Sequence, residues 1–250
     1  MNLRGRTFIL TGASRGIGRQ LANDLAKEGA SLVLSARTEA LLKQVEQEVR
    51  ARGVQAVGVV GNAAEDETVQ KLVKAAKVIG NFVGFIHNAG VLNPGPLMYE
   101  IGEGEFREVL EANLLAGYQL ARYAYPDLKR QGEAVAVFIG SGLAERNQTG
   151  VGAYCVAKAA EEMLARQLAA ETPEITCVIY RPGAVETRMQ EQAREAQGGG
   201  SKELRKVFRG MREQGEVVPA EQASRALVKL LKGDTRKFHG KTIHRRDLEA

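Results

Sequence analysis

Thr7-Phe8-Ile9-Leu10-Thr11-Gly12-Ala13-Ser14-Arg15-Gly16-Ile17-Gly18 is the stretch that decides the fold of this 250-residue chain. A short run of strand-forming residues enters a glycine-rich turn. The turn opens a segment with Ile17, Leu21 and Leu25 at helical spacing. The unit then repeats. Residues 31–36 (SLVLSA) read as a second strand, and Thr38 as the N-cap of a helix through residue 50. Residues 54–60 and 65–79 make the third strand and helix, and 83–87 (VGFIH) the fourth strand. A loop with Pro94 and Pro96 follows, then a helix from about residue 103 that is expected to bend or restart before Pro126. Strands at 134–139 and 175–180 flank a helix at 153–170. A helix at 219–231, with Pro219 near its first turn, and a short strand at 241–244 complete the pattern. Strand–helix alternation demands parallel pairing with right-handed crossovers, and apolar strands such as VAVFI suit a sheet covered on both faces. The fold class is therefore α/β: one doubly wound domain over residues 1–250. Its sheet is mostly parallel, of about seven strands, flanked by helices.

A second stretch carries the chemistry. Residues 141–158 read SGLAERNQTGVGAYCVAK, directly after the fifth strand. Tyr154 and Lys158 stand four apart, so a helix puts both on one face. A free tyrosine has a pKa of roughly 10 and is a poor acid or base near neutrality. A fixed ammonium favours the phenolate and lowers that pKa, which suits the tyrosine to general acid work. Ser141, at a strand end, is placed to hold a carbonyl oxygen beside it. Taken alone, a Tyr and a Lys four apart are also what an ordinary amphipathic helix carries.

Composition narrows the class. Hydrophobic residues make up 44% and charged residues 26%, ordinary values for a globular protein. No apolar run approaches the roughly 20 residues of a membrane span, and the first residues show no secretory pattern. Cys155 and Cys177 lie far apart and form no metal-spaced cluster, so no metal site is expected and a reduced cytoplasm is the simplest setting. The net charge of +5 is spread over helices that interleave Lys and Arg with Glu, as in EALLKQVEQEVRAR. That pattern describes solvated helix faces and not a groove for nucleic acid; a small anionic cofactor or substrate is the economical use of the excess.

In the turn from Gly12 to Gly18, glycines let the backbone approach a pyrophosphate, and the helix N-terminus favours its charge. The spacing is Gly-x-x-x-Gly-x-Gly. Together with Asn88-Ala89-Gly90, Asn113, Ser141, Tyr154, Lys158 and Pro182-Gly183-Ala184-Val185-Glu186-Thr187, in this order, the chain resembles the short-chain dehydrogenase/reductase family over nearly its whole length. The resemblance implies a Rossmann-type domain and a role for each position. Gly12, Ser14, Arg15, Gly16, Ile17 and Gly18 form the dinucleotide turn, and Asn88, Ala89 and Gly90 line the adenosine side. Asn113 holds a helix carbonyl and a water that relays protons. Ser141 binds the substrate oxygen, Tyr154 exchanges its proton, and Lys158 binds the nicotinamide ribose and tunes Tyr154. Pro182, Gly183, Val185 and Thr187 hold the carboxamide end. Two positions depart from the common pattern. His87 stands where Asn is frequent and is expected to be a satisfied strand-end residue. Asn62 stands near a position where an acid often touches adenine, and it offers hydrogen bonds instead.

The strand-two end reads Ser35-Ala36-Arg37, without the acid that NAD-preferring sites use on the ribose hydroxyls. Arg37 and Arg15 suit a 2′-phosphate, so NADP(H) is expected over NAD(H). Softer likenesses, in the Pro94 loop and in PGAVETRMQ, point to the benzil-reductase and sepiapterin-reductase-like branch and to small, apolar or aromatic ketones and diketones. A 3-oxoacyl-carrier-protein reductase, with Lys129 and Arg130 meeting an acidic carrier, is the alternative enzyme, and a non-catalytic NADPH-binding regulator the alternative class. Residues 186–216 read as a lid insertion with a hinge at Gly198-Gly199-Gly200, and Met189, Phe208 and Met211 as its inward residues. The resemblance implies a homodimer or homotetramer paired through the helices around residues 113–128 and 153–170, and Ala153, Ala157, Ala160 and Ala169 suggest a close-packing face on the second.

Overall fold

The computed structural model describes residues 1–249. Seven strands form one sheet in the order β3-β2-β1-β4-β5-β6-β7. They are β1 (Thr7–Thr11), β2 (Ser31–Ala36), β3 (Ala56–Val60), β4 (Phe82–His87), β5 (Ala134–Ile139), β6 (Ile175–Arg181) and β7 (Thr242–His244). Every pair is parallel, and β1 lies in register between β2 and β4 through Ile9, opposite Val33 and Phe85. The helices are α1 (Gly16–Lys27), α2 (Glu39–Arg50), α3 (Asp66–Ile79), α4 (Glu103–Leu110), α5 (Ala116–Leu128), α6 (Gly152–Glu171), α7 (Arg188–Arg194), α8 (Ser201–Glu213) and α9 (Ala220–Lys232).

Alternation of side chains along each strand feeds two cores. Phe8 and Leu10 of β1 point to one face, where Leu21 and Leu25 of α1, Val45 of α2 and Leu227 of α9 cover them. Ile9 points to the other, under Leu72 of α3, Leu120 of α5 and Ala165 of α6. Two covered faces explain why strands such as β5 and β6 are buried at every position. The chain leaves β3 at one edge and resumes at β4 on the far side of β1. This reversal opens a crevice at the carboxyl ends of β1 and β4, the usual ligand position in an open α/β sheet.

Most expected boundaries hold to within a residue or two, and the third strand starts at Ala56. Three expectations need correction. Thr38 occupies the α2 N-cap position, but its side chain makes no capping hydrogen bond. The break after α4 is not made by Pro126, which sits inside the last turn of α5; it is a π-helical turn, Glu111–Leu115, and it carries Asn113. Pro126 is tolerated there because only one helix bond, to the carbonyl four residues back, is lost near the helix end.

The third correction concerns residues 186–216, which fold into α7 and α8 over the carboxyl end of the sheet. The segment is closed at its base by the bridge between Val185 and Val218. Gly198, Gly199 and Gly200 are not a free hinge but a backbone seam. Gly200 N–H donates to the Gly95 carbonyl at 2.8 Å, and Gly95 N–H to the Gly150 carbonyl at 2.7 Å. A Cβ on Gly200 would stand 2.7 Å from the Gly150 backbone. Leu204 and Phe208 of α8 and Ala193 of α7 join Leu92, Val109 and Ala157 in a third apolar cluster, which also holds the Tyr154 ring.

Candidate active site

One cleft of about 1210 Å³ runs along the carboxyl end of the sheet. It is lined by the glycine turn, Arg37, Asn62, Asn88, Asn113, Ser141, Tyr154, Lys158, Thr187 and the inner face of the lid. Nearly every site residue expected from sequence borders it, and Met189, Phe208 and Met211 do so too. Gly18 is set back from the cleft, buried behind the turn, where its lack of a side chain lets α1 close on Gly12.

The glycine turn is held from behind. Asn88 Nδ2 donates to the Thr11 and Gly12 carbonyls, each at 3.1 Å. Gly12 has φ of 64°, and a Cβ there would meet Ala89 Cα at 2.8 Å. A Cβ on Gly18 would stand 2.1 Å from the Gly12 carbonyl oxygen. Arg15 takes the N-cap position of α1 and gives no side-chain cap, so the first N–H groups of the helix face the cleft without a side-chain acceptor. Uncapped donors at a helix N-terminus, with Arg15 and Arg37 exposed beside them, fit the pyrophosphate and phosphate groups of a dinucleotide. Arg37 pairs with Glu108 across the cleft at 3.0 Å. Thr187 packs over the turn, its methyl 3.1 Å from where a Gly16 Cβ would be. Asn62 Oδ1 accepts from Ala64 N–H at 3.1 Å, which leaves its amide N–H groups for a ligand.

Tyr154 and Lys158 share one face of α6, with the Lys158 Nζ 5.8 Å from the Tyr154 ring centre. Lys158 Nζ donates to the Ile139 carbonyl at 2.9 Å and to Glu161 Oε2 at 2.6 Å. Burial pushes the Tyr154 phenol above its ordinary value; the Lys158 ammonium and the Ser141 hydroxyl pull it down without cancelling burial. The simple expectation of a depressed phenol pKa is thus corrected. The sign of the lysine's effect is as expected, but the ring is buried and the lysine's charge is shared with a carboxylate. Burial alone would lower Lys158, yet Glu161, Tyr154 and Glu162 outweigh it and hold the ammonium above its usual value.

Ser141 caps the short turn after β5, its hydroxyl accepting from Leu143 N–H at 3.2 Å. Its own N–H donates to Glu162 Oε1 at 3.2 Å. Glu162, buried, also accepts from Arg181 Nε at 2.8 Å and Nη2 at 2.6 Å, and Arg181 Nη1 reaches Glu145 at 2.9 Å. A buried ion pair therefore fixes both ends of the serine loop. Asn113 Nδ2 holds the helix carbonyl of Val109 and the carbonyl of Val91, each at 2.8 Å. Its Oδ1 is buried with no partner among the described residues, and Gly90 leaves room for it, since a Cβ there would stand 2.6 Å away. His87 is satisfied as expected, with Nδ1 3.1 Å from Thr11 Oγ1 and Nε2 3.2 Å from the Asn113 carbonyl.

Sequence reading passed over Glu161, Glu162 and Arg181. The available signal was two acids three and four positions after Lys158, on the helix face that Lys158 itself requires to be inward.

Comparison with known proteins shows the family and the fold. A family model described as short chain dehydrogenase matches residues 6–198. An uncharacterized oxidoreductase of Saccharomyces cerevisiae is 32% identical over 231 residues, spanning 90% of this chain and 89% of its own. Its crystal structure superposes with a TM-score of 0.86, covering 97% of this chain and 96% of that one at 29% identity. The sepiapterin reductase of Bos taurus is 34% identical over 246 residues, 92% of this chain and 91% of its own. A 3-oxoacyl-[acyl-carrier-protein] reductase of Pseudomonas aeruginosa is 28% identical over 200 residues, 79% and 81% of the two chains. The chain is an oxidoreductase of the short-chain dehydrogenase/reductase family, on its sepiapterin-reductase-like branch.

Proposed function

We propose that this protein is an NADPH-dependent carbonyl reductase acting on small apolar or aromatic ketones and diketones, and on the corresponding alcohols in reverse. The observation that carries this is the convergence of Ser141, Tyr154 and Lys158 on one cleft with an uncapped helix N-terminus and two exposed arginines. The nicotinamide cofactor supplies the hydride when bound. Ser141 and Tyr154 polarise the carbonyl and stabilise the developing oxyanion, and Tyr154 delivers its proton to that oxygen. A phenol held above its ordinary value stays protonated across neutral pH, the form that reduction needs. Lys158 orients the ribose and Tyr154, and Asn113 secures the π-turn beside them. Phe208, Met189 and Met211 close the substrate end with flat, adaptable apolar surface. Lys129 and Arg130 pair with Glu174 and Asp127 at the exposed end of α5; such pairs are weak enough to be displaced, so the thioester arm of the test decides the acyl-carrier alternative.

The test is reduction of a panel of benzil-like diketones, pterins and short acyl thioesters. Diketones or pterins should turn over fastest, and Phe208→Ala should erode the aromatic preference. Faster thioester reduction would favour the acyl-carrier reading, and no turnover at all the regulator.

NADP(H) preference is supported by the cleft at the end of β2, where Ser35, Ala36, Arg37 and Thr38 form the wall and no acid stands among them. The exposed Arg37–Glu108 pair is worth about 0–1 kcal/mol, so a phosphate dianion can displace it. Charged hydrogen bonds of about 1.5–3 kcal/mol imply roughly tenfold or greater preference in kcat/KM for NADPH over NADH. Arg37→Asp should remove that preference. Equal efficiency with both cofactors in the unmodified protein would overturn it.

A homo-oligomer is proposed on the two helices expected to pair, through side chains other than the alanines of α6. Ala153 and Ala157 are buried in the apolar cluster shared with the lid, Ala169 is buried in the core against the sheet, and Ala160 is half-buried. The outward residues Val156 and Met163 of α6, Tyr118 of α5 and Leu115 of the π-turn before it are exposed large side chains on neighbouring elements. Light scattering should give a dimer or larger, and Met163→Glu with Val156→Glu should shift it to monomer. The two cysteines are free, as a reduced cytoplasm would leave them. No helix among the described residues is long and apolar enough to cross a membrane.

A further inference from the structure

Behind the Tyr154–Lys158 pair lies a group that the reaction as described does not use. Glu161 is fully buried on α6, one turn beyond Lys158. Its Oε2 accepts from Lys158 Nζ at 2.6 Å. Its Oε1 has no hydrogen-bond partner among the described residues and lies 3.4 Å from His87 Nε2 on β4. Burying a carboxylate oxygen without a full complement of donors costs free energy, so its retention calls for a reason.

Hydrogen-bond accounting settles the state of His87. Thr11 Oγ1 already accepts from the N–H groups of Asn88 and Ala89, each at 3.1 Å. Its own proton is therefore left for His87 Nδ1, which must be an acceptor. The imidazole proton then sits on Nε2, between the Asn113 carbonyl and Glu161 Oε1. Burial, then the Lys158 charge, hold His87 down to about 3, so the ring is neutral and offers Glu161 a dipole, not a charge.

The other charged groups around Glu161 are accounted for. On α6 these are Lys158, Tyr154 and Glu162; from β6, Arg181 faces Glu162, not Glu161, and shares that acid with Arg166 and itself with Glu145. From β5 comes only the Ile139 carbonyl, on Lys158. Among the described residues, Lys158 is thus the one cation in contact with Glu161. Burial raises the Glu161 carboxyl to about 7, so it is ionised on the alkaline side of neutrality, where a phenol would begin to lose its proton.

We propose that Glu161, seated between Lys158 and the Nε2–H of His87, is a positioning residue that takes up part of the lysine's charge and so keeps Tyr154 a phenol, setting the upper pH limit for carbonyl reduction. An ammonium left to act on the phenol alone would stabilise phenolate; a carboxylate at 2.6 Å on the same ammonium opposes this. The effect on turnover rests on the reductase reading above, while the effect on Tyr154 ionisation does not.

The experiment therefore reads both. Phenolate absorbance is titrated in the unmodified protein and in Glu161→Gln, Glu161→Asp and Tyr154→Phe; the difference from Tyr154→Phe isolates Tyr154. Glu161→Gln should lower the Tyr154 midpoint by about one pH unit or more, and the alkaline limb of ketone reduction should move down with it. Glu161→Asp, which keeps the charge, should recover most of the shift. Should Glu161→Gln fail to fold, Glu161→Ser withdraws the same charge with a smaller side chain and should lower the midpoint in the same direction. A midpoint that stays or rises in the folded variants overturns the proposal. A midpoint that falls while no carbonyl is reduced supports the proposal and counts against the reductase reading instead.

Discussion

Tyr154→Phe should lose at least about a hundredfold in kcat with every carbonyl substrate, since a positioned general acid contributes roughly 10²–10⁴-fold. Cofactor affinity should stay within about twofold of the unmodified value, as the lost group is a proton donor and not a cofactor-holding charge. The phenyl ring keeps its place among Leu92, Val109 and Phe208, so folding should be nearly unchanged. Cofactor fluorescence titration beside steady-state rates checks both halves. Most of the rate surviving in the Phe variant would remove Tyr154 from the role of acid. Lys158→Ala is a poorer probe of the same chemistry. It strips Glu161 of its cation, and breaking a buried pair from one side typically costs about 3–5 kcal/mol. Loss of activity there would mix catalysis with stability.

Gly18→Ala should cost more than any other single methyl group in the cofactor turn. The added Cβ would stand 2.1 Å from the Gly12 carbonyl oxygen and 2.6 Å from Asn88 Nδ2, and the first of these is backbone. Relief requires α1 to move away from β1 or the turn to open, and either displaces the N–H groups that face the cleft. Overpacking of this kind costs about 1–3 kcal/mol in stability. If the same strain is felt by the turn, cofactor affinity falls roughly 10- to 100-fold. Gly104→Ala is the internal control. It lies in α4 with open space around the new Cβ, and alanine should stabilise that helix by about 0.5–1 kcal/mol. The thermal midpoint should fall for Gly18→Ala and rise for Gly104→Ala, and cofactor binding should weaken in Gly18→Ala and stay unchanged in Gly104→Ala. Unchanged cofactor binding in Gly18→Ala would mean that the turn does not cradle the cofactor.

Much of the candidate site was legible because its signals are local. The turn from Gly12 to Gly18, the pair Tyr154 and Lys158, and Ser141 at a strand end each need only a few consecutive residues and a known period. Asn113 was legible only as part of a set. Its task, holding the Val109 carbonyl, depends on a π-turn that no residue pattern announces. Glu161 and Glu162 were passed over because acids on a helix normally mark its wet face, and nothing local says that this helix buries them.

By itself the sequence determined the alternation of strands and helices, the parallel sheet and the order of motifs along it. Those follow from side-chain periodicity and turn chemistry, which act over a few residues. Tertiary structure alone decided which charges meet. His87 reaches Glu161 because β4 sits between β1 and β5 while α6 crosses behind them, and Arg181 reaches Glu162 because β6 ends level with Ser141. It also decided that Ala153, Ala157 and Ala169 of α6 are buried inside the protomer, leaving Val156 and Met163 outside, and that Gly198, Gly199 and Gly200 form a seam with Gly95 and Gly150. The physical reason is common to all of these. Burial and partnership depend on which helix face and which strand end the packed layers bring together, and a short-range pattern leaves that choice open until the core closes.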